Sequence, residues 1–141
     1  MIMTEALSEF WWPVRVYIED TDAGGIVFHV NYLKYMERAR TEFLRALGFD
    51  KQFVVGQELM FVVHSLQIDY KMPARLDEEL KVEAHIMQLR KTSIIFRQNI
   101  VRGDQLLCLA TVVIACISKS QMRPVAIPAS LYRALKNYSH R

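Results

Sequence analysis

Residues 19–40 read EDTDAGGIVFHVNYLKYMERAR, and residues 41–49 continue TEFLRALGF. From Asn31 onward the apolar positions follow a helical period. Tyr32, Met36, Ala39, Phe43 and Leu47 recur at spacings of four, three, four and four. That spacing lays one stripe along a helix. Asn31 is the predicted cap and Gly48 the predicted stop. Lys34, Glu37, Arg38, Thr41, Glu42 and Arg45 fall largely off the stripe. The helix is therefore amphipathic and about four to five turns long, and it needs an apolar surface to cover.

The rest of the chain supplies that surface as strands. Upstream, Trp12 to Ile18 alternates well enough for a first strand, with Pro13 at its start. Downstream, Leu59 to Tyr70 is mostly β-forming, and 72–77 (MPARLD) is a proline-marked connection. Glu79 to Leu89 alternates, with Leu80, Val82, Ala84 and Ile86 on one face. Thr92 to Val101 alternates again, and Arg102-Gly103-Asp104 turns the chain back. Leu106 to Ile117 is apolar on both faces, which predicts a central strand covered on both sides. Pro124 and Pro128 end the sheet, and a short helix from Ala129 places Leu131, Leu135 and Tyr138 on one face. One long helix followed by consecutive strands is α+β, not alternating βαβ. A single domain over 1–141 is expected.

Composition narrows the function classes. Apolar residues make up 52% of the chain, enough for a core. The net charge of +3 is too small to imply a nucleic-acid partner. No apolar run approaches the roughly 20 residues of a membrane span. The opening MIMTEALSEFWWP lacks a basic start and an apolar core, so no secretory signal is expected, and the expected location is cytoplasmic. Cys108 and Cys116 sit eight residues apart in one apolar run. A strand puts them on one face but too far apart to bridge, so they read as buried thiols in a reducing compartment.

The segment DTDAGG precedes the long helix. Gly24 and Gly25 permit positive φ and close backbone approach. The free amides of a helix start favour negative charge, including a carbonyl oxygen that becomes an oxyanion. Asp22 then stands where a general base or nucleophile is useful. The plain alternative is that Asp20 and Asp22 close Asx turns and do nothing else. His29, seven residues on, can face a substrate oxygen or orient Asp22, or simply sit at a helix start. A magnesium site on Asp20 and Asp22 lacks a third carboxylate. His64, His85 and His140 have no ligand spacing, and no CxxC, HxxxH or HExxH occurs, so no metal is expected. GxSxG, Walker and dinucleotide-binding motifs are also missing. Arg90-Lys91-Thr92-Ser93 joins two predicted strands; it is either a solvated tip or a grip for phosphates. Nothing chemical follows from Trp11 and Trp12.

The stretch 14–48, VRVYIEDTDAGGIVFHVNYLKYMERARTEFLRALG, resembles the YbgC-type acyl-CoA thioesterases of the wider 4-hydroxybenzoyl-CoA thioesterase family. The resemblance continues through FVV (61–63), PARLDEEL (73–80), RKTS (90–93) and RPVAIP (123–128). It implies a hotdog fold, a five-stranded antiparallel sheet wrapped around one long central helix. It implies sheets joined into a homodimer or a homotetramer, with active sites between protomers. It assigns Asp22 as the catalytic carboxylate, the backbone amide of His29 as the oxyanion donor, and His29 as the family's active-site histidine. Gly25, Ile26 and Tyr32, with Arg90, Lys91, Thr92 and Ser93, are the implied substrate contacts, the last four toward the phosphates of CoA. Hydrolysis of acyl-CoA without a cofactor is the implied activity, with a genetic link to the Tol–Pal envelope system. Acyl carrier protein is the alternative carrier, and a non-catalytic thioester-binding protein the alternative function.

Overall fold

The computed structural model describes residues 10–49 and 58–139; the first nine residues of the opening segment read above for a signal lie outside them. The elements are β1 (Trp11–Arg15), α1 (His29–Ala46), β2 (Leu59–Tyr70), β3 (Glu79–Glu83), β4 (His85–Leu89), β5 (Ser93–Arg97), β6 (Ile100–Arg102), β7 (Gln105–Ser118) and α2 (Ala129–Ser139). Every strand pairing is antiparallel. β3 and β4 flank Ala84, and β5 and β6 flank Gln98 and Asn99, so the seven segments run as five ribbons. β7 is central, pairing with β2 on one edge and with β5 and β6 on the other. β1 joins through β3. This is the expected hotdog architecture, with the two long predicted strands each interrupted once.

The helix buries the predicted stripe. Tyr32, Met36, Ala39 and Phe43 are buried, together with Tyr35. Opposite them lie Leu80, Val82, Ala84, Ile86, Phe96 and Ile114 in one core. Each of the larger aliphatic side chains and phenylalanines among them contributes about 1.5–3 kcal/mol on burial. Gly48 ends the helix as expected, at φ +94°. The Phe49 amide donates to the Leu44 carbonyl and the Gly48 amide to that of Arg45, which is a Schellman closure. α2 closes the far end of the core with Leu131 and Leu135, and its Tyr138 ring meets Phe43 edge-on at 4.9 Å.

Three expectations need correction. The helix starts at His29, not after an Asn31 cap; Phe28 is the cap position and gives no side-chain bond. Asn31 lies inside the first turn, buried, and its side-chain amide donates to the Asp20 carbonyl at 2.9 Å. The first strand stops at Arg15 instead of reaching Ile18, because the Asp20 carboxylate accepts the Tyr17 amide and closes a 3₁₀ turn over Ile18–Asp20. β7 is covered on both faces only toward its ends, where Leu107 and Ile117 are buried as well. Cys108, Ala110, Val112, Ile114 and Cys116 are buried against the helix side, while Leu109, Val113 and Ala115 stay partly exposed. Both cysteines are buried free thiols, as expected. Burial pushes the Cys108 thiol up to about 12 and raises that of Cys116.

Candidate active site

Asp20 anchors the loop that follows it. Its carbonyl accepts the Phe28 amide and the Asn31 side chain, both at 2.9 Å. Thr21 bridges Val27, and the Asp22 amide donates to the Ile26 carbonyl at 2.9 Å. The DTDAGG loop is thus folded back as a tight finger against the start of α1. At its tip Gly25 takes φ +81°, a conformation costly for any side chain. The Asp22 carboxylate accepts the Gly24 amide through Oδ1 at 2.8 Å, so the Asx turn is real. Asp22 is exposed, and Oδ2 accepts no hydrogen bond among the described residues. The turn fixes one carboxylate oxygen and leaves the other presented, so capping and chemistry coexist. A Cβ on Gly24 would come within 3.3 Å of Asp22 Oδ1, which explains the small residue there.

The helix start has open donors. The Phe28 amide is spent on Asp20 and the Asn31 amide on Phe28, but the His29 amide meets no acceptor among the described residues. It is one of the orphan groups at the positive end of the helix. The His29 side chain is exposed and packs edge-on against Phe28 and Tyr70, at 4.7 and 6.2 Å between ring centroids. No hydrogen bond joins it to Asp22 among the described residues. Ile26 is half-buried and bridges Arg75. Tyr32 is buried, and its hydroxyl accepts the Ala74 amide at 3.0 Å. In this chain it braces the 73–75 loop behind the site.

Tyr70 and Asn31 complete this constellation; Tyr70 was not singled out from the sequence, and Asn31 was read only as a helix cap. The Tyr70 hydroxyl donates to the His29 carbonyl at 3.2 Å. Burial holds its phenol above the usual range, so it is a neutral donor. No local signal marks either role, because each partner is distant in sequence.

The basic turn lies elsewhere. Arg90 and Lys91 are exposed between β4 and β5, with the Arg90 amide on the Ser93 carbonyl at 2.9 Å. Thr92 and Ser93 are half-buried; the Thr92 carbonyl accepts the Cys116 amide at 2.8 Å. Tyr70 pairs with Cys108, and Ser93 with Ala115. Seven strand residues separate those two points, about 23 Å along β7 at the usual rise. The Asp22 and His29 group and the Arg90 to Ser93 group therefore sit at opposite ends of one chain. A groove of about 810 Å³ runs between α1 and β2, walled by Arg40, Phe49, Met60, Phe61, Val63 and Phe96 among others. It includes neither Asp22 nor His29. Among the described residues no cluster of His, Cys, Asp or Glu has the makings of a metal site, and no helix is long and apolar enough to cross a membrane.

Comparison with known proteins identifies the family. A family model described as the thioesterase superfamily matches residues 24–109, beginning two positions after Asp22. The chain is 47% identical over 126 residues to the acyl-CoA thioesterase YbgC of Haemophilus influenzae, covering 89% of this chain and 93% of that protein. It is 44% identical over 128 residues to the acyl-CoA thioester hydrolase YbgC of Escherichia coli O157:H7, covering 90% and 96%. Among solved structures, a protein from Bartonella henselae described as a probable thioesterase superposes with a TM-score of 0.80 at 35% identity, covering 85% and 99%.

Proposed function

The chain belongs to the thioesterase superfamily, and from that premise we propose that it hydrolyses acyl-CoA thioesters to free acid and CoA, with Asp22 as the reacting carboxylate. The observation that carries the proposal is a presented Asp22 oxygen on a finger folded back against the start of α1, where the His29 amide is unspent. A thioester carbonyl seated over the helix start receives the His29 N–H as its negative charge develops. Asp22 then attacks the carbonyl carbon, forming an acyl anhydride and releasing the CoA thiolate, and water cleaves the anhydride. Alternatively Asp22 takes a proton from water, which attacks directly. Either route ends in the same acid and thiol. The thiolate leaves readily, a cysteine-like thiol having a pKa of about 8.5.

The site is proposed to need two copies of the chain. A pantetheine arm has about a dozen bonds between sulfur and the first phosphorus, the reach of about four extended residues, or ~14 Å. That is shorter than the ~23 Å of β7 that lies between the strand positions beside the two groups in one chain. β2 is an edge strand with exposed Val63, Leu66 and Tyr70. Antiparallel pairing of β2 with the β2 of a second copy brings the Tyr70 end of one to the Leu59 end of the other. The Asp22 finger then meets the second copy's groove and its Arg90 to Ser93 turn. Thioester cargo on an acyl carrier protein would enter by the same mouth. CoA chemistry and two reduced thiols fit the cytoplasm.

The test is Asp22→Asn, assayed by thiol release from acyl-CoAs of several chain lengths. Turnover should fall at least about a hundredfold with the circular-dichroism spectrum unchanged. Hydrolysis at the parental rate would remove Asp22 from the chemistry. Tight acyl-CoA binding without turnover in the parent chain would make it a thioester-binding protein instead.

A further inference from the structure

A second basic cavity lies where the Arg90 to Ser93 turn meets the C-terminal helix. The Ile127 amide donates to the Lys91 carbonyl at 2.9 Å and pins the two together. Between them opens a cavity of about 440 Å³, lined by Lys91, Ala126, Ile127, Ala129, Tyr132, Arg133 and Lys136. The volume falls in the usual range for small-molecule sites. Ala129, Tyr132, Arg133 and Lys136 form one stripe of α2, opposite the buried Leu131 and Leu135. Three cations line the cavity and no carboxylate does. Among the described residues no hydrogen bond or ion pair engages the side chains of Lys91, Arg133 or Lys136. Like charges gathered in one place repel each other, and an anion seated there would relieve that repulsion.

We propose that Arg133 and Lys136, with Lys91, hold the 3′-phosphorylated adenosine end of CoA, and that Tyr132 lies against the adenine. The inference rests on acyl-CoA being the substrate. The arginine fork suits a phosphate oxygen pair, the lysines add point charge, and an aromatic ring accepts any base face. The Arg90 turn then meets the diphosphate and α2 the far phosphate, so that α2 tells CoA from shorter pantetheine thioesters. The contacts are exposed and therefore salt-sensitive.

The test reverses the charge of both exposed residues together, Arg133→Glu with Lys136→Glu. KM for an acyl-CoA should rise about tenfold. kcat should hold, and KM for the matching S-acyl-pantetheine should not move. With the parent chain the 3′-dephospho acyl-CoA should show the same raised KM, and with the variant removal of the 3′-phosphate should change nothing. Titration with adenosine 3′,5′-bisphosphate gives a readout that needs no catalysis: the parent should bind and the variant should not. That arm stands even where no thioester is turned over, so failure of the hydrolase reading is distinguishable from failure of this one. An unmoved KM for acyl-CoA overturns the assignment, as does an equal loss with S-acyl-pantetheine. A loss confined to acyl carrier protein thioesters also overturns it and makes the surface a protein dock.

Discussion

Tyr70 is the residue on which the site's geometry turns without touching its chemistry. Its hydroxyl holds the His29 carbonyl, and its ring packs against those of His29 and Tyr32. Through them it fixes the first turn of α1, whose His29 amide is the proposed oxyanion donor. Tyr70→Phe keeps the ring and removes the donor, a loss of about 1 kcal/mol. The expected outcome is a fall in kcat of about fivefold, with KM for acyl-CoA unchanged and the melting temperature within a few degrees of the parent. A purely structural tyrosine would lower the melting temperature and leave kcat alone. The turn that carries Asp22 was legible in the sequence because the glycines beside it are: Gly25 at positive φ and Gly24 against Oδ1 are local requirements. Tyr70 was not, because its role arises from β2 lying in register with β7 and beneath the helix start, a relation among residues far apart in the chain.

At the scale of elements, the helical stripe and strand alternation were readable from periodicity, and the interruptions were not. Gln98 shows why. It is fully buried where β5 gives way to β6. Its amide donates to the Met36 and Glu83 carbonyls at 2.9 and 3.1 Å, and its oxygen accepts Arg40 at 2.8 Å. Alternation puts position 98 on the same face as the buried Ile94, Phe96 and Ile100, but it gives no reason for a polar residue there. In the fold it is turned inward, spanning helix and sheet and satisfying Arg40, whose guanidinium burial disfavours in its charged form. Asn31 misled for the same reason: a good capping residue was recruited by a carbonyl eleven positions back. Gln98→Leu matches the apolar surroundings but strands Arg40 and the Glu83 carbonyl. It should cost about 2–3 kcal/mol. The urea midpoint should fall with the slope unchanged. An unshifted midpoint would mean that Arg40 finds another partner and that Gln98 is not the link.

At the scale of the whole molecule, the proposed two-copy site divides the work between chains. The sequence places Asp22 and Arg90 on separate segments and is silent on their distance, which only sheet register supplies. If each site takes its Asp22 from one copy and its phosphate grip from the other, two crippled chains can repair each other. Asp22→Asn lacks the reacting carboxylate, and Arg90→Glu with Lys91→Glu lacks the grip. Unfolded together in equal amounts and refolded, half of the dimers are hybrids. In each hybrid one site combines the intact Asp22 of one chain with the intact Arg90 and Lys91 of the other, and the second site carries both lesions. Activity at low acyl-CoA should return to about a quarter of the parental value, well above either variant refolded alone. Sites contained within one chain gain nothing from mixing, because every hybrid then carries one lesion in each site. A mixture no more active than the average of its two components would confine each site to a single chain, and the ~23 Å between its parts would need another explanation.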